Sequence, residues 1–250
     1  MRPTKKADKD SRLALKALRE LGGQVNHTCG LHVHHSIAHL GPRDVATAIA
    51  GYRQSKKALQ LIIPASRWNN GYCKWDENYG TLSRSKLDEW KDQSGWRRVR
   101  EVLYADRYSV TNLCALFDHG TLEFRQHSGT LDGDKVMNWV LLTQGFVNLH
   151  ERVKSGVIAD PLEPCNQFLG PRDVAELAEY VGLPVIRPFY EERAKQLNRA
   201  GDPEDYSGEP CDCDECNENA FYCESCGDRA DDDYCGDCYC CYDCCECERG

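Results

Sequence analysis

Two short segments concentrate side chains able to handle a metal ion and phosphate, CGLHVHHSI at 29–37 and HGTLEFRQHSGT at 119–130. His32, His34, Glu123 and Arg125 bring together imidazole, carboxylate and guanidinium. Carboxylate oxygens suit a hard divalent cation, and planar guanidinium donors suit the oxygens of a phosphoryl group or a carboxylate. Strand alternation puts Leu31 and Val33 on one side of the first segment and His32 and His34 on the other. In the second, Leu122 and Phe124 oppose Glu123 and Arg125. If the two strands share a sheet, their polar faces line one wall of a pocket. His35 points away from its neighbours and is expected to be structural, whereas His127 shares the face of Glu123 and is expected to support it.

The rest of the chain must position that wall. Leu13, Ala14, Ala17, Leu18 and Leu21 fall at helical spacing before Gly22-Gly23, predicting an opening helix that packs and feeds the His-bearing strand. Val45, Ile49, Tyr52, Leu59 and Ile62 suit one long helix over 43–63, halted near Pro64. A polar, aromatic loop follows, whose Trp and Tyr residues either stack on a base or anchor the loop. Helical pieces are expected around Leu87 to Leu103. The stretch 107–130 reads as two strands joined by a tight connection at 117–120, which would set Arg107 to Asn112 beside Glu123 and Arg125. Val136 to Val153 forms an amphipathic stripe, and two more helices are expected at 172–181 and 189–199.

Charge and cysteine divide the chain at about residue 200. Residues 1–200 carry 29 Lys and Arg against 23 Asp and Glu, whereas residues 201–250 carry 2 against 17. Twelve of the 16 cysteines lie in that acidic end, after a linker at 201–210. The spacing from Cys213 is C-x2-C-x6-C-x2-C-x8-C-x2-C-x2-C-x2-C. Cys213, Cys216, Cys223 and Cys226 could fill one tetrahedral zinc site and Cys235, Cys238, Cys241 and Cys244 a second, with interleaved pairing equally allowed. So short a segment with few aliphatic residues lacks a hydrophobic core, so structural zinc is its expected organiser. Its acidity argues against nucleic acid. The absence of a membrane-length apolar run and of a signal-peptide pattern predicts a soluble cytoplasmic protein without membrane partners.

These motifs carry a family resemblance. The order of the amphipathic helix, CGLHVHHS, the SR-x-x-x-x-YC loop at 66–73, RY-x-x-x-N at 107–112 and TLEFRQHSGTLD resembles the amidoligases, relatives of the carboxylate–amine ligases of glutamine synthetase fold. The resemblance runs over about 11–153 and implies an α+β fold, an antiparallel sheet with helices packed on one face. The small metal-stabilised Cys-rich module is added to it. It further implies that His32 and Glu123 bind magnesium and His34 touches nucleotide phosphate. Arg125 and Arg107 would neutralise phosphate or substrate carboxylate, with Arg67 a further candidate for that work.

The implied reaction is ATP-dependent amide formation through an acyl phosphate, joining a carboxylate to an amine, with a peptide terminus, a protein side chain or a cell-wall peptide as candidate substrates. Family members usually begin with a Glu-x-Glu strand; none precedes Ser11, so a second chain completing the site is one expectation. The family's frequency in phage genomes would place the activity in a host cytoplasm. Two other classes stay open on the residues: a non-catalytic scaffold using the ligase fold and zinc tail for contacts, and a zinc hydrolase built on His32 and His34. For each named side chain the plain alternative is a structural histidine or a solvent-facing strand pair.

Overall fold

The computed structural model describes residues 5–26, 29–68, 70–75, 107–162 and 170–197. The helical pieces expected between Leu87 and Leu103, the linker and the eight candidate zinc cysteines lie outside the described residues. In chain order the elements are α1 Lys5–Glu20, β1 Gly30–Ser36, α2 Pro42–Gln54, α3 Lys56–Gln60, α4 Ala65–Trp68, β2 Thr111–Asn112, α5 Ala115–His119, β3 Thr121–Ser128, α6 Gly133–Val147, α7 Leu149–Lys154, α8 Val174–Tyr180, a 3₁₀ turn Pro184–Ile186, and α9 Arg187–Gln196. The result is an α+β arrangement, a small antiparallel sheet with surrounding helices.

The sheet runs β1-β3-β2, with β3 central and antiparallel to both neighbours. His34 stands opposite Glu123 on one side, and Asn112 stands opposite Glu123 on the other. The β1–β3 register slips between Leu31, opposite His127, and Val33, opposite Phe124. Two residues of β3, Arg125 and Gln126, thus answer the one residue His32, which is a β-bulge.

One face of the sheet is dry. Val33, Leu122 and Phe124 are buried there, and α2 and α6 cover them. Tyr52 of α2 packs its ring against Phe124 at 5.2 Å and Phe146 of α6 at 5.0 Å. Burying side chains of this size contributes about 1.5–3 kcal/mol each, enough to fix the register that turns Glu123 and Arg125 to the opposite face. The helices start where local chemistry satisfies free N–H groups. Pro42 opens α2, and the Asp132 side chain caps α6 by accepting from Asp134 N–H at 2.7 Å and Lys135 N–H at 3.3 Å.

Four expectations are corrected. The apolar stripe of α1 does not pack into the core: the helix buries no residue, Leu13, Leu18 and Leu21 are exposed, and an ion pair from Arg12 to Asp134 at 2.6 Å ties it to α6. The long helix over 43–63 breaks at Ser55, whose hydroxyl donates back to the Gly51 carbonyl at 2.7 Å. The tight connection at 117–120 is instead the helix α5, closed by Gly120 at φ +67°. The stripe over 136–153 divides into α6 and α7 at Asn148.

Candidate active site

Glu123 organises the polar face. Its carboxylate is almost fully buried in mid-sheet, with donors arriving from all three strands. Oε1 lies 2.9 Å from His32 Nδ1 and 2.8 Å from Arg125 Nη1, with His34 Nε2 at 3.6 Å. Oε2 accepts a hydrogen bond from Asn112 Nδ2. Burial alone would push this carboxyl up, but the hydrogen bonds from His32 and Asn112 and the Arg125 charge outweigh it and hold the group down to about 2. Glu123 is therefore a fixed anion at neutral pH.

The two histidines stand at the open side of that anion. His32 and His34 keep side-chain exposures of 36% and 39%, against 5% for Glu123. His34 Nδ1 lies 3.0 Å from Thr121 Oγ1, which orients the ring so that Nε2 faces Glu123. Arg125 is braced by its Nε donating to the Tyr72 carbonyl at 3.2 Å. Arg67, on α4, reaches beneath the wall and donates from Nη2 to the Arg125 carbonyl at 2.7 Å. Its charge and that of Arg125 bear on Cys73, whose thiol is pushed up by burial and only partly pulled back by the two guanidiniums.

Of the predicted residues, the fold brings together His32, His34, Glu123, Arg125 and Arg67. Arg107 does not join them directly: it is exposed and lies over the ring of Tyr108, 5.3 Å from its centroid. Tyr108 meets Tyr72 edge to face, so Arg107 stands at the rim beside the loop that braces Arg125. His35 points inward as expected, its Nε2 2.8 Å from Thr143 Oγ1 of α6. His127 is a correction. Past the bulge it pairs with Leu31 and packs on Trp139 of α6 at 5.2 Å, away from Glu123.

Sequence reasoning passed over Asn112 and Thr121, the side chains that fix the rotamers of Glu123 and His34. The signal for Asn112 was its place as the last residue of the RYSVTN motif, one strand across from Glu123. A separate cavity of about 750 Å³ lies among α7, α8 and α9, lined by Arg152, Val157, Tyr180 and Arg187 among others, and holds none of the predicted site residues.

The donor set around Glu123 holds one carboxylate and two imidazoles, only part of a cation's shell. Magnesium is commonly held by one or two carboxylates, with waters and substrate phosphates completing the octahedron. Glu123 Oε1, His32 Nδ1 and His34 Nε2 converge closely enough to supply part of such a shell. Among the described residues, no group of three or more His, Cys, Asp and Glu side chains forms a metal site on its own.

Sequence comparison decides the family. The family described as "Putative amidoligase enzyme" matches residues 8–147, which take in most of α1, the three described strands and α6. The chain belongs to this amidoligase family. Comparison with curated proteins and with solved structures returned no match. Every residue of the wall around Glu123 falls within the matched span. Membership supports a ligase type of function, and among the described residues no helix is long and apolar enough to cross a membrane.

Proposed function

We propose that this amidoligase is an ATP-dependent carboxylate–amine ligase working through an acyl phosphate. The observation that carries the reading is the Glu123 carboxylate, held ionised in mid-sheet with one oxygen turned toward two half-exposed histidines and an arginine. Such a group can anchor a nucleotide's cation, and the arginine beside it can neutralise charge that spreads over phosphoryl oxygens.

In this reading Glu123 and His32 would hold magnesium, His34 would contact nucleotide phosphate, and Arg125 would face the transferring group. Magnesium, when bound, would screen the phosphate oxygens and polarise the γ-phosphorus. A substrate carboxylate oxygen attacks that phosphorus, the bond to the β–γ bridging oxygen breaks, and ADP leaves. The amine nitrogen then attacks the acyl carbon, inorganic phosphate departs, and the amine proton passes to solvent. Most of the protein's contribution is position and fixed charge. Arg107, at the rim, would meet a substrate carboxylate on its way in. The acidic Cys-rich end would be a structural zinc module without chemistry of its own.

Calorimetric titration of the full chain with ATP, with and without magnesium, tests this directly. Binding should require magnesium and fall at least tenfold in Glu123→Gln. Hydroxylamine offered with ATP and a carboxylate pool should trap a hydroxamate if an acyl phosphate forms. A folded protein that binds no Mg-ATP would refute the reading.

A further inference from the structure

The helix α1 is mounted with its polar face inward. Of its 16 residues only Asp8, Arg12 and Leu15 are partly buried, and they recur at i, i+4 and i+7 along one face. Arg12 anchors that face by pairing with Asp8 and with Asp134 of α6, each at 2.6 Å. Its stem lies against Gly133, where an added methyl would meet Arg12 Cγ at 3.0 Å. The apolar stripe points the other way. Leu13, Ala14, Ala17 and Leu18 are exposed, and so is Leu21 just past the helix end, at 84%. A helix this short is marginal on its own propensity and gains most of its stability by burying such a stripe. A row of exposed leucines marks a face that something covers.

Charge selects the cover. α1 carries six Lys and Arg against three Asp and Glu, a larger excess than any other described element has. Lys9 and Lys16, four and three residues from Leu13, border the stripe. A second copy laid on this helix would set its positive excess against itself, whereas an acidic segment would be drawn in. Such a segment stands on the same chain. Residues 201–250 carry 17 acidic residues against two arginines, and their large apolar side chains are Phe221 and five tyrosines, with no Leu, Ile, Val or Met. Aromatic rings bury large areas, so they can cover leucines while neighbouring carboxylates meet the bordering lysines. Drawn out fully, residues 198–210 span about 45 Å, about the width of a body of 200 residues. The acidic end therefore reaches α1 from the end of α9, and the tether raises its effective concentration to the order of a millimolar.

We infer that the exposed leucine stripe of α1 is the docking surface for the acidic, aromatic, Cys-rich end of the same chain. The docking stands on the exposure and charge of α1 and does not depend on the ligase reading.

Carbodiimide, which joins a lysine amine directly to an adjacent carboxylate, tests this on the full chain purified anaerobically. α1 offers Lys5, Lys6, Lys9 and Lys16, while residues 201–250 offer carboxylates and no lysine. Peptide mass spectrometry should find the acidic end joined to α1 lysines at least fivefold more often than to the exposed Lys56, Lys57 and Lys195. The double variant Leu13→Glu, Leu18→Glu should cut those links at least fivefold, while the link between Lys154 and Asp44, an ion pair at 2.8 Å, persists as the sign of an intact body. Both leucines are exposed and glutamate keeps helix propensity, so the variant should fold as the parent does. In the parent itself, salt at about 1 M, where charges are screened within about 3 Å, should also reduce the α1 links relative to the Lys154 link. Links spread evenly over the body's lysines, or links unchanged in the double variant, overturn the inference. Mixing isotope-labelled with unlabelled chains identifies the occupant. Links within one isotope support docking inside a chain, and mixed links overturn it in favour of a second copy. Binding to phosphatidylserine vesicles by a chain that shows no α1 links overturns it in favour of a lipid surface.

Discussion

The amide of Asn112 donates to Glu123 Oε2 while its own oxygen accepts the Cys114 backbone N–H at 2.9 Å. Held at both ends, the amide cannot flip, and Glu123 cannot turn Oε1 away from His32, His34 and Arg125. Asn112 is thus a positioning residue acting through Glu123. Denaturant unfolding of a double-mutant cycle checks this. Asn112→Ala should cost about 1–3 kcal/mol in the parent, because a buried carboxylate loses a donor, and at least about 1 kcal/mol less in the Glu123→Ala background. Additive costs would show that the two side chains act independently.

Acid should weaken the fold in two separate windows. His35 is buried against α6, and desolvation lowers it to about 4, opposed by a hydrogen bond to Gln144 and aided by the neighbouring His34. The unfolded imidazole titrates near 6.5, so the unfolded chain binds the extra proton first. Stability should fall as pH drops from about 6.5 to about 4, by about 3 kcal/mol in all. Urea titrations should show that slope flattened in His35→Gln.

Glu123 acts lower. Its folded carboxyl is depressed, so the stability it contributes is complete above about 4.5 and is lost as pH falls toward about 2. Glu123→Gln should be less stable than the parent at neutral pH and should show less acid loss within that lower window. A parent curve with the same low-pH slope as Glu123→Gln would contradict the assignment.

Packing makes a fourth prediction. Gly51 lies within α2, where alanine would gain about 1 kcal/mol of helix propensity. A methyl there would overlap Leu149 and approach the Tyr180 hydroxyl to 3.1 Å. Gly51→Ala should therefore destabilise by about 1–3 kcal/mol in spite of propensity. Gly71→Ala is the control: among the described residues nothing lies within 4 Å of its methyl, and the change should stay within about 0.5 kcal/mol.

The Cys-rich end can be tested by metal content. The chain purified anaerobically should carry about two zinc ions, because eight thiolates at CxxC spacing would fill two tetrahedral sites. Elemental analysis of Cys223→Ser should find about one. Protein that carries none would refute the assignment.

The wall was legible because period-two alternation is hard to mimic. His32 and His34 against Leu31 and Val33, and Glu123 and Arg125 against Leu122 and Phe124, each declared a polar and an apolar face. His127 was misplaced because a bulge shifts the phase, and nothing in EFRQHS announces one. The stretch from Arg107 to Asn112 is placed beside Glu123 by the sequence, but which of its side chains meets the carboxylate depends on a cross-strand register that the sequence does not print. The helix α5 was hidden by its length: five residues of ALFDH are too few to show a period. In α1 the period was read correctly, but periodicity reports a helix's two faces and not whether either is covered. Burial of Arg67 was likewise invisible, since it depends on where a four-residue helix lands against β3.

The central position of β3 has a consequence for how the chain comes to life. Glu123 draws its partners from β1 and β2, and His34 meets Thr121 across 87 residues of chain. Contacts that distant close late, after local helices have formed. Asn112 and Arg125 reach Glu123 from within 11 residues of chain, whereas His32 and His34 arrive only when β1 docks on β3. The half of the centre that faces solvent is thus assembled by the longest loop closure in the sheet.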